Sequence, residues 1–96
     1  MAHPLDTAAA LLELAAHRVA TNDDPLAQNR AAAHTLVDLQ LHSLIISGGT
    51  FETLTADDPR SAQQLVRDAW TATDTWTPME PSEQEFLTRL FDLAHP

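Results

Sequence analysis

The sequence predicts an all-α fold, a small four-helix bundle-like domain spanning residues 1–96 with no sheet. Three observations predict it. Apolar residues recur every three or four positions in four separate segments, the spacing of a half-buried helix. Strong helix-start signals stand before three of them: Asp24-Pro25, Asp57-Asp58-Pro59 and Ser82-Glu83-Gln84-Glu85. The one alternating stretch, 50–55, is too short and isolated to build a sheet. The expected helices cover about 6–20, 25–47, 59–73 and 83–94.

The first helix starts at Asp6, with Ala8, Leu11, Leu12, Ala15 and Val19 as its buried stripe. Asp6, Glu13 and His17 are expected opposite, in water. Glu13 and His17 stand four apart and are placed to pair there. The polar turn that follows is short, so the first two helices are expected to pack antiparallel.

The second helix, Pro25 to Ser47, is the longest and is expected to be central. Gly48-Gly49 stops it, because glycine readily adopts the left-handed conformation of a C-terminal cap. At 100° per residue, Leu26, Ala33, Val37 and Leu44 fall along one line. Leu36, Leu39, Leu41, Ile45 and Ile46 widen the apolar arc. The remaining polar stripe, Gln28, Thr35, Asp38 and His42, is expected to face water. A helix this apolar needs neighbours on several sides, either other helices or a second copy of the chain.

The connector 50–55 is expected to form at most one helical turn, with Phe51 and Leu54 as core anchors. The third helix should start at Pro59 and bury Ala62, Leu65, Val66, Ala69, Trp70 and Thr73. Residues 74–81 form a proline-bearing linker that carries Trp76 and Met79. Trp76 either folds over the core or stands out as an anchor for a partner. In the fourth helix, Ser82 to Glu85 reads as a capping box, Phe86, Leu87, Leu90, Phe91, Leu93 and Ala94 point inward, and Glu85 faces Arg89.

Composition narrows the functional classes. Twenty-six residues are Leu, Ile, Val, Met, Phe or Trp, enough for one four-helix core. There is no cysteine, lysine or tyrosine, which removes disulfides, thiolate and Schiff-base chemistry, a phosphate-binding lysine and a phenolic acid. The net charge of −9, from 14 carboxylates against 5 arginines, opposes direct binding to nucleic acid or anionic membranes. Neither a secretory leader nor a membrane span is expected, so the expected location is the cytoplasm.

Motifs are sparse. His34, Asp38 and His42 stand at four-residue intervals and could offer imidazole, carboxylate and imidazole to a metal, although the HExxH glutamate is missing. Ser43, in DLQLHSL, looks like the attachment serine of carrier proteins, but that serine follows an aspartate and opens a helix. LLELAAHRV is slightly similar to the first helix of helical chorismate mutases, whose basic pocket includes a lysine that this chain lacks. The favoured expectation is a small acidic, non-enzymatic interaction module without cofactors. It would bind a protein partner as an inhibitor, antitoxin or phage-encoded (anti-CRISPR-like) regulator. A homodimer is expected through the 39–46 region, and Leu39, Ile45, Ile46, Trp76 and Met79 are the expected interface residues. The alternatives are a metal-binding bundle or enzyme using His34, Asp38 and His42, and an acidic mimic of DNA.

Overall fold

The computed structural model describes residues 3–21, 24–49, 54 and 57–95, and it is all-α. Four helices pack as a bundle: α1 (Asp6–Ala20), α2 (Arg30–Ser47), α3 (Ala62–Ala72) and α4 (Pro81–Ala94). Short 3-10 turns occupy Pro25–Gln28 and Thr73–Thr75. Helix α1 packs on α2 and α3, and α4 packs on the same two helices. No described helix is long and apolar enough to cross a membrane. Phe51 and most of the 50–55 connector lie outside the described residues; Leu54 is half-buried against the core.

The central element is α1, not α2. Ala8, Ala9, Ala10, Leu11, Leu12, Leu14 and Ala15 are all buried, which encloses α1 from Ala8 to Ala15 on nearly every side, while His17 and Ala20 in its last turn are exposed. A helix that is apolar all round must be covered all round, and its alanines let neighbouring backbones approach closely. Asp6 is not a solvated residue. It is buried, and one carboxylate oxygen accepts the His3 N–H at 3.0 Å. The position before it, Leu5, gives no side-chain cap and is itself fully buried.

Helix α2 buries Leu36, Leu39, Ser43 and Ser47. The expected central line therefore fails at Val37, which is 42% exposed. The expected polar stripe divides: Gln28 and Asp38 stay exposed, while Thr35 and His42 are half-buried on the side of α4. The His42 ring meets the Phe86 ring edge-on at 5.3 Å, and Asp38 pairs with Arg89 at 3.3 Å. These contacts run α2 and α4 antiparallel. Arg89 thus turns to α2 instead of to Glu85 on its own helix.

Three helix starts differ from the sequence expectation for the same reason: a second capping side chain lies nearby. Asp24 caps only the 3-10 turn, accepting Leu26 N–H at 3.0 Å. Asn29 then adopts an extended conformation (φ −97°, ψ 97°) and caps α2 through Ala32 N–H at 3.1 Å. Helix α3 begins at Ala62 rather than Pro59, because the Asp58 carboxylate takes the Arg60 N–H and Ser61 supplies the cap. Helix α4 begins at Pro81, and Glu83 reaches back to the N–H groups of Met79 and Glu80. The Gly48 stop is as expected, with φ +83° and its N–H donating to Leu44 C=O.

The helices are joined at their ends. The second oxygen of Asp24 accepts Ala62 N–H at 2.8 Å, so one carboxylate ties the 3-10 turn to the first residue of α3. Gln63 Nε2 and Arg67 Nε donate to the last carbonyls of α4, at 3.2–3.3 Å. There they satisfy orphan acceptors, and the arginine meets the negative end of the helix dipole. The Arg18 guanidinium donates to the Asp58 carbonyl, which ties α1 to the segment before α3.

Trp76 and Phe86 close one end of the core. Trp76 is half-buried against the core, its ring 6.1 Å from Phe86 and 6.3 Å from His3. Trp70 is half-buried and meets Phe91 edge-on at 5.3 Å, while Phe91 itself is 46% exposed instead of turned inward.

Two mutational outcomes follow from this packing. Asp24→Ala removes caps from two elements and is expected to lower unfolding free energy by about 1–3 kcal/mol in guanidinium titrations. Leu12→Ala opens a cavity beside α1 and should cost about 2–5 kcal/mol, whereas Ile45→Ala should stay within about 0.5 kcal/mol.

Candidate functional site

The candidate site is the outward face of α2. Val37, Leu41 and Ile45 recur at four-residue intervals and stand in one row. Leu41 is 52% exposed and Ile45 is 79% exposed. Each is a large aliphatic side chain that the chain's own core leaves in water. Scattered apolar exposure is ordinary, but three neighbours in a row form a patch. The row exists because α2 carries apolar residues at nearly every angle, while α1 and α4 cover only part of its circumference.

The expected interface residues separate in the structure. Leu39 is completely enclosed in the core, so it offers no surface to a partner. Ile46 and Trp76 are half-buried and pack against the core. Ile45 is outward, and Met79, at 83% exposure, stands apart on the α3–α4 connection. Val37 is outside the expected interface, and Leu41 falls within the expected 39–46 region without being singled out. Their common four-residue spacing with Ile45 is the signal that links them.

The metal-ligand constellation is not assembled. His34 is exposed, Asp38 is held by Arg89 and His42 packs on Phe86. Among the described residues, no group of three His, Asp or Glu side chains is gathered around a common point. Ser43 is fully buried inside α2 and donates its hydroxyl to Gln40 C=O at 2.7 Å. It is closed to attachment chemistry. Two open depressions, of about 290 and 360 Å³, lie beside the start of α2. The first runs between Ala31, Ala32 and Thr35 of α2 and Arg89, Asp92 and Leu93 of α4. The second joins Asp24, Pro25, Leu26 and Asn29 to Ser61 and Gln63. Its Asp24, Asn29 and Ser61 oxygens already serve as helix caps.

The strongest electrostatic cluster lies away from this face. Arg60 pairs with Asp58 at 2.7 Å and with Asp68 at 3.1 Å. Hydrogen bonds from Arg60 hold the Asp58 carboxyl down, from 3.8 to about 2. The two carboxylates push the Arg60 guanidinium up. With Arg18 on the Asp58 carbonyl, this is a junction between α1 and α3.

No known protein family, curated protein or solved structure matches the chain.

The Asp58 junction gives a pH signature. A depressed carboxyl pKa adds stability that is complete above the unfolded value of 3.8 and lost as pH falls toward about 2. In denaturant titrations, the stability gap between the parent chain and Asp58→Asn should therefore be constant above pH 4 and shrink between pH 4 and pH 2.

Proposed function

We propose that this chain is a small non-enzymatic interaction module that acts in the cytoplasm by binding a protein partner. Its action is that of an inhibitor, an antitoxin or a phage-encoded regulator of the anti-CRISPR-like type. The observation that carries this reading is the exposed row Val37, Leu41 and Ile45 on α2. Burying such side chains in a partner groove contributes about 25 cal/mol per Å² of apolar surface removed from water. A helix that lays an apolar row into a complementary groove is a recurrent mode of protein recognition.

The distribution of acid favours this reading over a mimic of DNA. A mimic needs free carboxylates spaced as phosphates. Here Asp24 caps two elements, Asp58 and Asp68 share Arg60, Asp38 faces Arg89 and Glu83 caps α4. Asp6 is buried. These carboxylates serve the fold.

A photo-activatable side chain at position 45, compared with one at the exposed position 71 on α3, tests the proposal in the source cells. The expected result is one discrete adduct with a different protein at position 45, absent at 71 and lost in Leu41→Glu. Equal labelling at both positions, or none at 45, overturns the reading.

A further inference from the structure

The face of α2 has a polarity of its own. Arg30 and His34 lie one heptad before Val37 and Leu41, on the same exposed side. The opposite end is the helix C-terminus at Gly48, where the backbone dipole is negative. The face therefore runs from a basic end, across an apolar row, to a negative end.

The row is also symmetric in sequence. Leu41 has an aliphatic residue four positions before it and another four positions after it. Two copies of α2 laid antiparallel about Leu41 would place Leu41 against Leu41 and Val37 against Ile45. His34 would then face position 48 of the second copy, at its helix C-terminus, and Arg30 would lie one turn past that end. This is the self-complementarity that a two-fold, isologous contact requires.

Charge favours the same place. The chain carries a net −9, so two copies repel over most of their surface. Helix α2 is the exception. Its only full charges are Arg30 and Asp38, and Asp38 is already offset by Arg89 at 3.3 Å. The apolar row thus sits on a nearly neutral helix of a strongly acidic chain.

We infer that in the free protein this face is covered by a second copy of the chain, packed antiparallel about Leu41. The inference rests on the reading of α2 as a docking surface and names its resting occupant. The contact is small beside the roughly 800 Å² per partner of a standard stable interface. The dimer is therefore weak, with Kd on the order of 10–100 μM. A protein partner with a better groove displaces the second copy.

Sedimentation equilibrium of the full chain from about 5 μM to about 1 mM tests the inference, alongside Leu41→Glu and a Thr71→Glu control. The parent chain and the control should rise to twice the monomer mass. Leu41→Glu should need roughly tenfold or more protein to reach the same mass, because the contact would bury a charge. Because Leu41 is outward in the fold, thermal unfolding of Leu41→Glu should match the parent chain.

Geometry is tested separately. The chain has no cysteine, so Leu41→Cys provides a single thiol. On mild oxidation it should give a disulfide-linked dimer. Val37→Cys and Ile45→Cys should crosslink with each other and not with themselves. A monomer at 1 mM, a dimer unchanged by Leu41→Glu, or self-crosslinking at position 37 would each overturn the inference. A monomeric parent chain that still labels a different protein from position 45 would sink the self-pairing alone and leave the interaction-module reading standing.

Discussion

Enclosure of α1 is the constraint on which the other elements depend. A single helix with Ala8 through Leu12, Leu14 and Ala15 buried cannot stand at a surface. Its alanines make it thin, so α2 and α3 approach closely and the hydrophobic area per turn stays modest. The sides that the helices leave open are closed by connections. Leu26 from the 3-10 turn, Leu54 from the α2–α3 segment and Trp76 from the α3–α4 segment all pack on the core. In a chain of this size the connecting segments are part of the core's cover.

This arrangement explains where the polar side chains went. With α1 holding the centre, the remaining helices have to be fixed at their ends, and that is where the strong hydrogen bonds lie. Asp24 spans two helix starts, Arg18 reaches the segment before α3, and Gln63 with Arg67 closes the end of α4. Magnitudes rank these contacts. An exposed ion pair such as Arg89–Asp38 contributes about 0–1 kcal/mol. A cap removed from a helix start costs about 1 kcal/mol, and Asp24 serves two starts. The junctions, more than the surface pairs, set the relative placement of the helices.

Much of this was legible in the sequence, and the failures share a cause. Four helices and the glycine stop could be read from local signals, because spacing and capping chemistry act within a few residues. The starts of α2, α3 and α4 moved because Asp24, Asp58 and Ser82 had competitors in Asn29, Ser61 and Glu83. The buried side of α2 was misread because Leu, Val, Ile and Ala occupy nearly every angle of that helix. No local rule distinguishes Leu39 from Leu41; the choice is made by what α1 and α4 present. His42 looked solvated because its partner, Phe86, comes from a distant segment of the chain, as does Arg89, the partner of the exposed Asp38. Of the candidate surface, Ile45 and the 39–46 region around Leu41 could be picked out from the sequence, whereas Val37 needed the structure.

The two sides of α2 therefore do separable work. Leu36, Leu39 and Ser43 hold the helix in the core. Val37, Leu41 and Ile45 contribute little to that attachment, since so much of each side chain is already in water. Exposed apolar area in a small acidic domain adds nothing to folding and lowers solubility, so the fold gives no reason for it. A surface that covers the row would remove that liability. Because the row faces away from α1, such a surface could come and go without disturbing the bundle. A weak, reversible contact on a rigid helix suits this geometry better than one that has to reorder the core.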